Sequence, residues 1–488
     1  MMNPASKEIM SRTASYPLLA LSGIIIPLLL CCACATTPIQ KDDAFSIAVE
    51  SFQDESYVEG ARAAWQFVDA ADPDDPRYDR GLKLVAAASE KLGMTFIAAM
   101  MYRQIAMERR NMEVVPEALY GLKRIVETHP YSEDLLVTSF IAAETFSELP
   151  ADVRAFVNYH QGLDLVRRGS YEWAEQHFSQ IPETDPYFFE AEYVRAVRLV
   201  ADGDYPKAIQ MLKKMLEEKG LSRRTRTNAH RTLARLAFEE KRYKDALLHF
   251  DMIRELAPND PDILIESAWT YFYLGDSRKT LGLLVALDAP VHRRHISPER
   301  YLLEALALRR LCQFGAARAA ATKLERRYGE SIRKLSEGYL PSEIEELQKS
   351  ARYLTGSRDS VLFVESLNAE KKILEYHQEE LGESLYTFLN SMYQRGMETA
   401  KASVTAQMED DLNQLAEELL ASREGVRLII HELGVSLLRG RRRPQGAAEK
   451  PAFEIPKTGQ KVFYSFDSEY WTDELDDLMV VAEDRCID

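Results

Sequence analysis

One pattern in this chain returns at fixed spacing, and it limits the possible folds more than any other feature. Around Ala246 it reads Tyr243, Ala246, Phe250, Ile253 and Pro258. Around Ala174 it reads Tyr171, Ala174, Phe178, Ile181 and Pro186, and near the start Tyr57, Ala61, Trp65, Val68 and Pro73. Measured from the small residue, the aromatic, the aliphatic and the proline fall at the same offsets in all three. Weaker copies centre on Ala208 (Tyr205, Leu212, Met215), Thr280 (Ala268, Tyr271, Gly275, Asp276) and Ala317 (Ala305, Leu308, Ala321, Leu324). Ala174 and Ala208 are 34 residues apart, as are Ala246 and Thr280. Self-similarity at such a period marks a stack of small units, each too thin to bury its own apolar face.

Each unit reads as two short helices. Ala234 and Ala237 precede the Ala246 segment, and Gly162 and Leu165 precede the Ala174 segment. The small residue lets the paired helices approach, the aromatic fills the gap to the next pair, and the proline stops the second helix. The pattern resembles the tetratricopeptide repeat (TPR). That resemblance implies an all-α helical solenoid, with about eight helix pairs over residues 42–329. Pair two, around Ala98 and Tyr102, is degenerate; pair three, from Pro116 to Leu149, rests on periodicity alone.

Repeats of this kind resemble one another in fold rather than in ligand. Most bind a peptide, a helix or another protein in a groove lined by the first helices. The resemblance places Tyr159, His160, Arg231, Arg235, Trp269, Tyr273 and Arg309 in that groove, and aromatic and arginine side chains are the usual interface anchors.

The first forty residues suggest an address. Lys7 and Arg12 precede an apolar run from Pro17 to Leu30, interrupted by Gly23 and Pro27 and too short to span a bilayer comfortably. Cys31, Cys32 and Cys34 follow, with Ala33 immediately before Cys34. A small residue before a cysteine resembles the lipobox of bacterial lipoproteins, in which the cysteine carries the lipid. The resemblance implies a signal peptide over 1–33, lipid attachment at Cys34 with Cys32 as fallback, and a tether over 34–41. Cys31 stands where that family usually has leucine. More than one acyl chain, palmitate among them, gives stable anchoring. Ala35, rather than an aspartate, follows the lipid cysteine, which by resemblance to sorted lipoproteins favours the outer membrane of a two-membrane envelope.

Residues 330–440 stay helix-rich without the repeat. Leu412, Leu415, Leu419, Val426, Ile429 and Leu433 follow heptad positions, interrupted at Ser422 and Ser436. Such coiled-coil-like helices can cap the apolar end of a solenoid or pair with a second chain. Arg439 to Arg443 ends the stretch, and residues 441–460 read as a linker. The terminal segment, 461–488, packs Phe463, Phe466, Tyr470 and Trp471 among acids. It reads either as a docking motif for a partner or as a segment that lies back on the array. Cys486 and Cys312 lie far apart in sequence, and Cys486 is expected to be a free thiol.

No catalytic constellation is evident, and neither a metal nor a cofactor is expected. There is no phosphate-cradling glycine loop. His431 and Glu432 begin like a zinc-protease helix but lack the second histidine. His292, Arg293, Arg294 and His295 read as a basic, solvated turn. A formal net charge of −16 argues against nucleic acid as a partner. The expectation is a non-enzymatic scaffold, lipid-anchored in a bacterial envelope complex, that binds envelope proteins or peptides. Its oligomeric state is left open. Three narrower alternatives are an envelope motility or secretion machine (as with gliding-motility TPR lipoproteins), an outer-membrane assembly accessory, and a transporter-associated protein holding a small hydrophobic ligand.

Overall fold

The computed structural model describes residues 41–129, 134–146, 148–258, 260–292, 296–352, 354–440, 479–480 and 482–486. The expected signal peptide, Cys32, Cys34, the tether, the linker and the aromatic residues Phe463, Phe466, Tyr470 and Trp471 lie outside them. So do Arg293, Arg294 and His295. The described residues belong to one unit built of helices, with no strand among them.

Sixteen segments form eight consecutive pairs. The pairs are α1 (Lys41–Gln53) with α2 (Tyr57–Ala70), α3 (Tyr78–Lys91) with α4 (Thr95–Glu108), and α5 (Val115–Thr128) with the short α6 (Ser139–Ala143). Then come α7 (Ala151–Arg167) with α8 (Tyr171–Phe178), α9 (Pro186–Ala201) with α10 (Tyr205–Leu216), and α11 (Arg223–Glu239) with α12 (Tyr243–Leu256). The last are α13 (Pro261–Leu274) with α14 (Ser277–Ala286) and α15 (Glu299–Arg310) with α16 (Phe314–Ser336). Pair three departs most from the pattern: its second member is one π-helical turn, Asp134–Thr138, running into five residues of α6.

The repeat positions are the core. Ala61, Ala174, Ala208, Ala246, Thr280 and Ala317 are all buried, as are Phe178, Phe250, Ile181, Ile253 and Leu324. The close approach expected of the small position has its counterpart on the first helix: a Cβ added to Gly162 would sit 2.4 Å from the Phe178 ring. Pro258 follows directly on the end of α12, as expected, but Pro186 acts differently. α8 ends at Phe178, and Pro186 is the first residue of α9, where its missing N–H costs nothing. Asp185 precedes it and accepts a hydrogen bond from the Tyr187 amide at 2.9 Å, completing the cap. Asp260 does the same ahead of Pro261. Between α13 and α14, Gly275 takes a left-handed conformation (φ 92°), which a side chain would resist, and Asp276 then caps α14.

Beyond the array come α17 (Glu345–Ala351), α18 (Thr355–Tyr376), α19 (Gln378–Leu381) and α20 (Glu383–Gly440). At 58 residues, α20 is about 86 Å long from the α-helical rise. Its two halves pack on opposite ends of the array. In the first half, Phe388 stacks on Trp65 of α2 (centroids 4.2 Å apart), Ser384 accepts from the Trp65 indole at 3.0 Å, and Tyr393 lies against Phe96 of α4. In the second half, Leu412, Leu415, Leu419, Val426, Ile429 and Leu433 are buried with Ala317, Ala321 and Leu324 of α16. Gly425 abuts Leu302 of α15. This explains the tryptophan at the aromatic position of pair one: its neighbour is the extension as well as the repeat.

Two buried carboxylates fasten the extension. Glu370 of α18 accepts from the Thr95 hydroxyl (2.8 Å), the Phe96 amide (2.9 Å) and the Tyr393 hydroxyl (2.9 Å), and so caps the N-terminus of α4 from outside its own helix. Asp411 of α20 accepts from the amide (2.8 Å) and hydroxyl of Ser357 in the first turn of α18. Each places a negative charge at the positive end of a helix dipole.

The C-terminal residues also return to the array. Cys486 is bonded to Cys312 in the turn between α15 and α16, 174 residues away in sequence, so it is not the free thiol expected. The expectation failed because sequence separation says nothing about spatial separation once a chain folds back. The Val480 amide donates to the Arg278 carbonyl, the Arg485 amide to the Leu311 carbonyl, and Ala482 is buried against Leu281, Ala307 and Leu311.

Candidate functional site

Three residues expected in the groove come together on the neighbouring first helices of pairs six and seven. Arg235 and Phe238 lie three apart on α11, and Glu266, Trp269 and Tyr273 lie three and seven apart on α13, so each set shares one helix face. They line an open pocket of about 440 Å³ with Glu239 and Phe250. Its wall is an aromatic shelf. Tyr273 stacks on Tyr243 (5.6 Å, 14° between planes), meets Phe238 edge-on at 5.5 Å and lies 6.1 Å from Trp269. About half of the Tyr273 surface remains exposed (51%), although stacking orders the ring.

Charges frame the shelf. Arg235 pairs with Glu266 at 2.6 Å, and that partner raises the guanidinium pKa above its ordinary value. One turn earlier, Arg231 pairs with Asp260, the capping residue of α13. The Trp269 indole donates to Glu299 of α15 at 3.0 Å. Burial raises the Glu299 pKa, and Glu418 of α20, Asp262 and Glu266 add to the rise through like charge. A rigid aromatic surface with an exposed face and an ion pair at its edge suits an apolar side chain flanked by charge, as on a peptide or a surface loop.

The other expected groove residues lie elsewhere. His160 is buried on α7, its ring edge-on to Phe156 at 4.7 Å and its Nδ1 3.1 Å from the Thr138 hydroxyl. Burial holds its pKa down, to about 3, so the imidazole is neutral in the folded chain. Tyr159 is also buried, beside Tyr187 and Phe178. Both correct the groove expectation: every residue from Ala155 to His160 is buried, so this part of α7 offers no groove-facing side. Arg309 is partly exposed but pairs with Glu432 of α20, so the extension already covers that position. His292 is likewise buried rather than solvated.

Phe238, Glu239 and Glu266 were not among the expected groove residues. Their spacing from Arg235 and Trp269 carried the signal, because a helical face repeats at three and four residues. No group of three or more metal-ligating side chains occurs among the described residues, and no described helix is long and apolar enough to cross a membrane.

A tetratricopeptide-repeat family model matches residues 199–265, a span that runs from α9 to α13 and includes Arg231 and Arg235. Among solved structures, the chain is similar to a tetratricopeptide repeat protein from Parabacteroides merdae: 16% identity, 64% of this chain and 98% of that one covered, TM-score 0.24. It is also similar to the TPR domain of p58(IPK): 13% identity, 83% of this chain and 99% of that one covered, TM-score 0.20. No curated protein matches the sequence.

Proposed function

From the premise that the chain is a tetratricopeptide-repeat protein, a fold of protein–protein interaction scaffolds and of a generally non-catalytic family, we propose that it is a lipid-anchored scaffold of a bacterial envelope complex. The aromatic shelf between α11 and α13 takes an extended segment or loop of an envelope partner. The single observation that carries this reading is the stacked but half-exposed Tyr273 beside the Arg235–Glu266 pair. Two features support an exported location: the Ala33–Cys34 step after an apolar run, and the Cys312–Cys486 disulfide, a bond that persists in oxidising compartments. In this reading Cys34 carries the acyl chains and the outer membrane is the anchoring surface. The role is non-enzymatic.

Affinity capture from native membranes tests the groove, comparing wild type with Arg235→Glu/Tyr273→Ala. Both residues are exposed, so the variant should keep its helical content and melting temperature. Loss of the same partner from a folded variant supports the proposal; full recovery overturns it. Mass spectrometry of the N-terminal peptide tests the anchor separately, and an unacylated, membrane-free protein would refute that half.

A further inference from the structure

A second cavity shares no residue with the shelf. It has a volume of about 420 Å³ and lies in the cleft between α4 and α20, with Phe363 of α18 and Leu136 of the π turn also in its wall. α4 supplies Phe96, Met100, Arg103 and Met107, which recur every three or four residues and so share one helix face. α20 supplies Met392, Arg395, Gly396 and Thr399 in the same way. The two helices meet at Gly396, where an added Cβ would sit 2.3 Å from the Phe96 ring. Elsewhere the cleft is open, and Met107 is 44% exposed.

The chemistry of the wall narrows the ligand. Its apolar part is three methionines, two phenylalanines and a leucine. Unbranched, polarizable methionine side chains adapt to a flexible apolar partner. The charge is positive, although the chain as a whole stands at −16. Arg103 and Arg395 face the cavity from α4 and α20, and the one carboxylate of the described wall, Glu108, pairs with Arg110 and accepts from Gln104 at 3.2 Å. Arg395 is exposed and has no carboxylate partner among the described residues. Arg103 is partly buried, with its guanidinium 5.6 Å from the centre of the Phe140 ring, and burial lowers its pKa from the ordinary value. An anion in the cleft offsets the solvation that burial removes. Gln104 and Thr399 are the remaining polar side chains, too few to satisfy a sugar or a nucleotide.

We infer that this cleft binds a single-chain amphiphile with an anionic head, of the class of a fatty carboxylate. The chain lies against Met100, Met107, Met392 and Phe363, and the carboxylate pairs with Arg395 in the field of Arg103. Because such a ligand touches α4 and α20 together, it clasps the first half of the extension to the repeats. The shelf between α11 and α13 takes no part, so this inference and the proposed function stand or fall separately.

Equilibrium binding of radiolabelled dodecanoate, below its micelle concentration, to the full-length protein stripped of non-covalent lipid tests this. The expected result is one saturable site. Decanoate, two methylenes shorter, should compete about tenfold more weakly. Dodecyltrimethylammonium, with the same chain and the opposite charge, should also compete more weakly, by about tenfold or more. Arg395→Glu, at an exposed position, should weaken dodecanoate binding by about tenfold or more with the melting temperature of the free protein unchanged. Hydrogen exchange gives a second readout: at a hundred times Kd, exchange through openings that part the first half of α20 from α4 should slow by up to about a hundredfold, while residues 412–433 are unaffected. No saturable binding, equal competition by the cationic amphiphile, undiminished binding in Arg395→Glu, or equal slowing through residues 412–433 would each overturn the inference.

Discussion

Replacing Glu370 with alanine should release the extension from the N-terminal repeats while leaving its other half in place. The carboxylate is buried and accepts hydrogen bonds from Thr95, Phe96 and Tyr393. Truncation removes these hydrogen bonds, at about 1–3 kcal/mol each where no solvent reaches the groups. It also removes a charge from the N-terminus of α4, at about 0.3–1 kcal/mol. Water entering the void restores part of this, so the net cost should be about 4 kcal/mol, within the range for breaking a buried charged network. At about 1.4 kcal/mol per factor of ten, protection of amides in α18 and the first half of α20 should fall by up to about a thousandfold. Glu370→Gln keeps the volume and one acceptor and should lose less. Residues 412–433 keep their contacts with α16 and should remain protected. Native-state hydrogen exchange separates the two halves. Unchanged protection in α18, or an equal loss through residues 412–433, would refute the division of α20 into two independently anchored halves.

Three further outcomes follow from buried or fixed groups. The unfolded chain protonates His160 near pH 6.5 and the folded chain only near pH 3, so the stability tied to this residue is complete above pH 6.5 and falls as pH drops through that window. Between pH 7.5 and pH 5 the loss should be about 2 kcal/mol from the linkage relation, read as a lower urea midpoint, and His160→Gln should remove that part of the pH slope. His230, whose pKa is held down to about 4 by burial first and then by His249 and Arg226, adds to the slope in the same direction. Cys312→Ser should raise exchange at the Val480 and Arg485 amides while leaving the helicity of pairs one to six unchanged by circular dichroism and exchange. Gly162→Val should destabilise pair four by about 1–3 kcal/mol, since the added carbons meet the Phe178 ring, and Phe178→Leu in the same chain should recover part of the loss in thermal melts.

Much of the array could be read from the chain because a repeat states its packing several times over. Ala174, Phe178 and Ile181 keep the spacing of Ala246, Phe250 and Ile253, and a face that recurs at 34 residues has to meet its own copies. Pair three was hard to read for a physical reason: its second helix is one π turn and five residues, too short to carry a periodic signal. The two-ended docking of α20 was not legible, because it depends on contacts such as Trp65 with Phe388 across more than three hundred residues. The disulfide escaped for the same reason. In the site, Arg235, Trp269 and Tyr273 converged because neighbouring first helices present the same face. Tyr159 and His160 did not, because every residue from Ala155 to His160 is buried, so this part of α7 has no groove-facing side, which no periodic pattern could show. Arg309 had the right face, but α20 already covers it, which no local pattern could show.

The most direct measurement is photo-cross-linking in intact cells, with a photoreactive phenylalanine analogue placed at Tyr273 in one strain and at Tyr376 in another. Both side chains are exposed, Tyr376 the more so at 83%, but only Tyr273 lies on the aromatic shelf. The account predicts a discrete adduct with an envelope protein from position 273 and none from position 376. Equal labelling at both positions, or no adduct from Tyr273 while the protein is captured with partners through another surface, would contradict it.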